Sequence, residues 1–497
     1  MVCMDPSSDG HVSAGIRARM LRLPVRGASR DCCAGRVWRL PIGAGPVVGD
    51  RRHRRSATRI GTIAAILALS YSSEIRFAII WIGRMTEALE TPFRIEPCFF
   101  EDAVPRPLSD LTVEIHSAAS ELGRTLHPDS VAELAEFVRV MNCYYSNLIE
   151  GHDTRPKDIE RALAGAEVDE ARRPLALEAR AHVQVQREID GLHRAGALPS
   201  PTSAEFILWV HRRFYEAMPP EFRRADLPGG RTIEIVPGRF RTRNEEDVAV
   251  GRHHPPSSAV VSNFMAHFAK RFEMAEGWPS IRVIAMASAH HRLNFIHPFI
   301  DGNGRVSRLV SHAMALRAGI GGGGLWSVSR GLARGLRDRG EYKRMMDHAD
   351  MPRQGSRDGR GNLSEAALRD FCNWFLSVVL DQIRFTSAAF RFDALAERYR
   401  RLLADLGHDA RSGELISTVL RFGEIERGQA ALVLQTSERT ARTTVSRLVA
   451  EGFLKSRTPK SAVRVAFPLD YRDRLFPNLF ADHWIEAPEP PAFRFGK

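Results

Sequence analysis

Twelve consecutive residues concentrate the chemistry of this sequence: His297-Pro298-Phe299-Ile300-Asp301-Gly302-Asn303-Gly304-Arg305-Val306-Ser307-Arg308. Gly302 and Gly304 let the backbone turn where a Cβ would clash. The residues after them, Val306 to Arg317, predict a helix with Val306, Leu309, Val310, Ala313 and Leu316 on one face. A glycine turn that runs into a helix N-terminus points free N–H groups and a positive dipole end at an anion. Asn303 adds an amide beside that nest. Arg305 and Arg308 lie three apart and reach from nearly the same helix face, where guanidinium groups suit further phosphates. Asp301 is a hard oxygen ligand suited to Mg²⁺ bridging phosphates. His297 is the group here fit to take a proton near neutral pH. A surface loop before a core helix is the plain alternative. The clustering of base, metal ligand, anion nest and two arginines favours a phosphate site.

The stretch resembles the Fic motif, H-x-F-x-[DE]-G-N-G-R-x-x-R, at every fixed position. That resemblance implies transfer of a nucleotide monophosphate, usually AMP from ATP, to a Ser, Thr or Tyr hydroxyl of a target protein. It makes His297 the general base and Asp301 the Mg²⁺ ligand. It assigns the α- and β-phosphates to Gly302, Asn303, Gly304 and Arg305, and the γ-phosphate to Arg308. Removal of AMP, or transfer of UMP or phosphocholine, are the alternatives within the same chemistry.

Elements upstream must position these groups. Helices are expected over 108–125 and 129–149, the second with Val131, Leu134, Phe137, Val138, Met141, Tyr145 and Leu148 at helical spacing. It runs into Ser146-Asn147-Leu148-Ile149-Glu150-Gly151, which resembles the inhibitory motif [ST]-x-x-x-E-[GN]. By that resemblance Glu150 pairs with Arg308 and blocks the γ-phosphate. A solvated glutamate before a helix-ending glycine is the plain alternative. Helices follow over 156–166 and 173–195, then one opened by a capping box at Thr202–Glu205. Residues 231–253 suggest a hairpin turning at Pro237-Gly238. Val236 to Arg241 resembles the Fic flap, on which a target protein docks by strand addition. The helix over 280–296 enters the motif. Its His290 and His291 point to different faces and do not form a metal set with His297. Gly319 to Gly324 lacks the Lys-Ser or Lys-Thr of a phosphate loop and reads as the end of the motif helix. Tyr342 resembles a family position near the adenine.

The formal net charge of +12 has a location: residues 1–84 hold fourteen arginines, no lysine and five acids. That segment has no sustained periodicity before Ile60, and Glu74 and Arg76 interrupt its apolar part. An unstructured extension or an over-extended start before Met85 is expected, with a basic membrane or nucleic-acid tail as the alternative. No stable membrane insertion is expected, since a span needs roughly 20 mostly apolar residues. Scattered Cys98, Cys143 and Cys372 suit reduced thiols and a cytoplasmic setting.

Helical spacing returns over 364–400. Residues 411–467 read as three helices and a hairpin and resemble a winged helix, with ten basic residues against five acids. Arg439, Arg442, Thr443 and Arg447 would form its exposed face, suited to duplex DNA. The alternative is a protein-interaction or dimerisation module, and a homodimer is one expectation. A DNA-binding regulator whose catalytic core senses nucleotide is the second reading of the whole chain. The expected architecture is mostly α: a Fic-type core over about 85–400 with its flap, a small α+β winged-helix domain, and a loose tail at 468–497.

Overall fold

Apolar residues at helical spacing, punctuated by capping side chains and glycines, divide most of the chain into helices. The computed structural model describes residues 90–480, apart from 99–103, 153, 166–171, 228–229, 274 and 276–278. The chain divides into two units, Met1–Tyr71 and Ser72–Lys497, and the described residues lie in the second. The expectation for residues 1–84 therefore falls outside them.

Helices α1 (Arg106–Glu121), α2 (Pro128–Glu150), α3 (Pro156–Leu163), α4 (Arg173–Arg194) and α5 (Ala204–Glu216) come first. Strands β1 (Arg224–Leu227) and β2 (Arg231–Glu234) form an antiparallel hairpin, with Arg224 opposite Glu234. Then follow α6 (Val261–Glu273), α7 (Pro279–Ile296), α8 (Asn303–Arg317), α9 (Val328–Arg334), α10 (Glu341–Ala349) and α11 (Glu365–Phe390). The helical stretch expected over 364–400 is two helices: α11 ends before Arg391, and α12 (Phe392–Asp405) follows it. The cap of α5 is Ser203 rather than Thr202, since the Ser203 hydroxyl accepts the Phe206 N–H at 3.1 Å.

Helix α2 is buried without interruption from Phe137 to Asn147, so it is an internal element and not a surface helix. Gly151 ends it in the left-handed conformation (φ 85°), and the His152 N–H returns to the Asn147 carbonyl at 2.9 Å. That termination leaves Glu150 as its last residue. Asp190 on α4 binds Arg139 of α2 (2.8 Å) and His312 of α8 (2.6 Å), so one carboxylate ties three helices around the motif.

The hairpin lies earlier than the residues 231–253 expected for it. Pro237 has no N–H to give a ladder, and Arg241 is drawn beneath the motif loop by its hydrogen bonds. The strand that does pair, Arg-Ala-Asp-Leu, alternates polar and apolar residues over only four positions, too short a run to stand out. Between Gly238 and His253 only an isolated bridge, Val250 to His253, remains.

Residues 410–465 hold α13 (Ala410–Phe422), α14 (Ala430–Val433) and α15 (Glu438–Ala450), with a three-stranded antiparallel sheet. Its strands are β3 (Glu424–Ile425), β4 (Leu454–Lys455) and β5 (Val463–Val465), in the order β3-β5-β4. Two residues of β3 are too few to show a period. The expected loose tail is overturned over 468–480: α16 (Arg472–Leu475) and the residues after it bury Leu475, Phe476, Leu479 and Phe480. Apolar side chains spaced by three and four explain why this segment packs. No helix among the described residues is long and apolar enough to cross a membrane. Cys98, Cys143 and Cys372 are free and buried.

Buried histidines set an acid limit on this fold. Burial pushes His182, His211 and His290 each down to about 3. The unfolded imidazole takes up its proton below about 6.5, so the unfolded state binds more protons between pH 3 and 6.5. Stability therefore is fully present above pH 6.5 and falls as pH drops through that window. In His182→Leu, the slope of unfolding free energy against pH between 4.5 and 6 should shrink by about 1.4 kcal/mol per unit. Urea titrations at several pH values measure it, and an unchanged slope would mean His182 is protonated in the folded state.

Candidate active site

The site begins where α7 stops. His297 still donates its N–H to Leu293 (3.1 Å), as a last helical residue would, but its φ is 49°. A left-handed histidine costs about 1–3 kcal/mol and must be held by its surroundings. Arg241 holds it, with Nε donating to the His297 carbonyl at 2.7 Å. The imidazole is half-buried, close to the Asn294 carbonyl. Burial first, and the charges of His253 and Arg241 second, lower its pKa to about 4. The ring is then neutral at physiological pH and free to take a proton.

Asp301 follows one turn later. Its Oδ2 accepts from the Tyr215 hydroxyl (2.6 Å) and from Arg305 Nη2 (2.7 Å). Burial opposes its ionisation, but Arg305 and the Tyr215 hydrogen bond outweigh that and hold the pKa at about 2. Neither partner draws on Oδ1, and the side chain is 46% exposed. One ionised hard oxygen fits Mg²⁺ held mainly by phosphates and water. The described residues contain no cluster of three carboxylate, His or Cys ligands that would cage an ion without them. Tyr215→Phe removes a charge-assisted hydrogen bond, and a stability loss of about 1 kcal/mol is expected by urea denaturation. An unchanged midpoint would show that solvent replaces the hydroxyl without cost.

Gly302 caps α8 at φ 83°, and a Cβ there would lie 2.9 Å from the Tyr215 ring. Its conformation and its neighbour both require glycine. A Cβ on Gly304 would overlap the Glu150 carboxylate. The N-terminus of α8 therefore begins in a cradle with no side chain of its own. The Asn303 side chain does not face that cradle: it donates to the Phe299 carbonyl and accepts the Phe299 N–H, both at 2.9 Å. It braces the loop from within.

The two arginines part company. Arg305 is 5% exposed and binds Glu178 of α4 (2.5 Å) as well as Asp301. Its guanidinium is held between those two carboxylates. Arg308 is 1% exposed. Its Nε donates to the Ser146 hydroxyl (2.9 Å), and Nη2 to the Ser146 carbonyl (3.1 Å) and the Glu150 carboxylate (2.6 Å). Glu150 is ionised: burial opposes its charge, and Arg308 and Arg305 restore it. So Ser146, Glu150 and Arg308 meet, with the end of α2 occupying the Arg308 guanidinium.

Tyr342 is buried on α10, with its hydroxyl 2.8 Å from His290 Nε2 and its ring stacked on Trp374. His290 in turn reaches Ser311 at 2.9 Å, which makes it a packed helix residue. Arg439, Arg442, Thr443 and Arg447 are all exposed on α15, remote in sequence from the motif. Arg442 is engaged by Glu438 on the same helix, and Arg447 by Glu451 at its C-cap.

Sequence reasoning missed Tyr215, Glu178 and Arg241. One signal was available. Glu178, His182, Gln186 and Asp190 recur every four residues on α4, and all are buried. A polar row at i, i+4, i+8 and i+12 on a helix face must find partners inside. Three of the four do: Glu178 meets Arg305, Gln186 meets Asn142, and Asp190 meets Arg139 and His312, whereas neither ring nitrogen of His182 has a hydrogen-bond partner.

Residues 201–315 match the model of the Fic/DOC family. "Protein adenylyltransferase Fic" of Aedes aegypti is 35% identical over 113 residues, 23% of this chain and 19% of that protein. The protein of the same name from Drosophila persimilis is 42% identical over 91 residues, 18% of this chain and 17% of that protein. The chain thus spans about a fifth of the length of these curated relatives. Among solved structures, a Fic family protein from Desulfovibrio desulfuricans G20 aligns with a TM-score of 0.42 at 16% identity, covering 75% of this chain and 99% of that one. Fic-1 from C. elegans aligns with a TM-score of 0.42 at 16% identity, covering 66% and 82%.

Proposed function

The chain carries a Fic/DOC-family domain, and from that premise we propose that it is a protein adenylyltransferase restrained by its own Glu150. The observation that carries this reading is the Glu150 carboxylate 2.6 Å from Arg308, where a phosphate oxygen would otherwise sit. In the proposed reaction a target Ser, Thr or Tyr hydroxyl oxygen attacks the α-phosphorus of ATP. The bond from that phosphorus to the β-phosphate oxygen breaks and pyrophosphate leaves. His297, neutral at working pH, takes the hydroxyl proton. Asp301 is the residue that would hold Mg²⁺, which neutralises phosphate charge when bound. The bare start of α8 receives the α- and β-phosphates through backbone N–H groups. Arg308 receives the γ-phosphate once Glu150 withdraws. A target segment is proposed to dock along residues 235–241, whose backbone already meets the motif loop at Pro298 (2.9 Å).

The test uses the full chain with Mg²⁺ and ATP labelled on the α-phosphorus, mixed with cell lysate. Wild type, Glu150→Gly, and Glu150→Gly with His297→Ala are compared for label on protein. No label from any variant would sink adenylylation and turn attention to UMP, phosphocholine or AMP removal. A second reading, duplex DNA binding through α15, draws on the exposed row Arg439, Arg442, Thr443 and Arg447. Binding that weakens steeply with salt would support it, and none at low salt would sink it.

A further inference from the structure

Arg241 closes the flap-like stretch but has no role assigned above, yet it is among the most buried cations of the described residues, at 1% exposure. Its hydrogen bonds converge on the end of α7. Nε donates to the His297 carbonyl (2.7 Å), and Nη2 to the carbonyls of Ile296 (3.1 Å) and Pro256 (2.5 Å). Nη1 donates to the Ser258 hydroxyl (2.9 Å), and the Arg241 backbone N–H to the Pro298 carbonyl (2.9 Å). Three consecutive carbonyls, at 296, 297 and 298, are therefore fixed by one residue. They flank the left-handed turn at His297, and helix-end carbonyls have no partner of their own. A planar fork can span diverging acceptors where a lysine ammonium reaches one or two.

We propose that Arg241 is the positioning residue of His297: it holds both peptide planes around the histidine and so sets where the imidazole points. The effect on transfer rests on His297 acting as the base. The test places Arg241→Lys and Arg241→Met in the full-length Glu150→Gly protein. ATP-binding stoichiometry by calorimetry counts intact sites, and the AMP label transferred to lysate protein is divided by that count. Turnover per ATP site should fall at least tenfold in Arg241→Lys and further in Arg241→Met, with KM for ATP within twofold. A scaffold role would lower stoichiometry and turnover together. The His297 imidazole signals in histidine-labelled NMR, identified by their loss in His297→Ala, should also shift in Arg241→Lys. Unchanged turnover per site, a fall matched by lost stoichiometry, or unmoved imidazole signals would each overturn the proposal. If the Glu150→Gly parent transfers nothing, the adenylylation reading fails, and the imidazole signals alone decide the positioning.

A separate set of contacts concerns the opposite side of α2. Along its length, Ser130 donates to the Leu420 carbonyl (3.0 Å), and Glu133 pairs with Lys455. Phe137 meets the rings of Phe476 (4.8 Å) and Phe480 (5.4 Å). Tyr145, five residues before Glu150, donates to the Leu479 carbonyl at 2.9 Å. Buried Arg330 of α9 clasps the same segment through the carbonyls of Asn478 (2.7 Å) and Leu479 (3.2 Å). The helix that carries Glu150 is thus a shared wall: Arg308 lies on one side and residues 420–480 on the other.

We infer that the segment 468–480 sets how firmly Glu150 is held on Arg308, so that loosening the C-terminal residues releases the site. This deepens the proposed restraint and predicts epistasis. Phe476→Ala, or the milder Phe480→Leu, should raise AMP transfer several-fold when Glu150 is present and leave it unchanged in Glu150→Gly. Mg·ATP affinity measured by calorimetry should follow the same pattern, and it reports on the restraint even if no AMP is transferred. The same change in both backgrounds, or none in either, would overturn the inference.

Discussion

Glu150→Gly should raise AMP transfer roughly tenfold or more at limiting ATP. A hydrogen bond to a charged partner is worth about 1.5–3 kcal/mol. Glu150 is 32% exposed, so screening favours the lower end of that range. Each 1.4 kcal/mol is about tenfold in an affinity, and the affinity at stake is that of the γ-phosphate for Arg308. On the proposed function the γ-phosphate would take the Nη2 that the carboxylate now holds, and removing Glu150 leaves a buried guanidinium with only Ser146. Glu150→Gln should fall between, because it keeps the side chain and loses the charge. Stability should drop in both, since an ion pair is broken and, in Glu150→Gly, a glycine is placed at a helix end. Equal label from wild type and Glu150→Gly would mean that the pair does not restrain the reaction.

His297→Ala in the Glu150→Gly protein should lower transfer by about 10²- to 10⁴-fold, the usual worth of a positioned general base. ATP binding should change little, because the phosphates are assigned to the start of α8 and to Arg308. The pH profile carries a second signature. With the folded pKa near 4, the imidazole remains a competent base above about pH 5. The acid limb of the rate should therefore lie near pH 4 and not near the ordinary histidine value of about 6.5. A limb at 6.5 would place the ring in water, outside the site described. Residual transfer within tenfold of the parent would assign the base to another group.

How much of this could be read from residues alone depends on range. The motif helix, its glycine turn and the end of α2 at Gly151 follow from local rules, because caps and left-handed glycines act over three or four residues. The meeting of Arg308 with Ser146 and Glu150, 162 and 158 positions before it in the chain, was anticipated by resemblance, and the fold supplies the distance. The partners of Arg305 and Asn303 were not legible. Arg305 pairs with Glu178 and Asp301, and Asn303 with Phe299, because a buried charge or amide takes the partners the packing offers.

By itself the sequence determined a mostly helical chain, the twelve-residue site and the helix end poised to meet it. Those rest on spacing and turn chemistry, which are local. Only the tertiary structure decided that Arg241 holds His297, that Tyr215 and Glu178 complete the Asp301 network, and that residues 468–480 pack along α2. These depend on long-range burial, where each polar group must find its partner in another element, and no period along one chain records which element that will be.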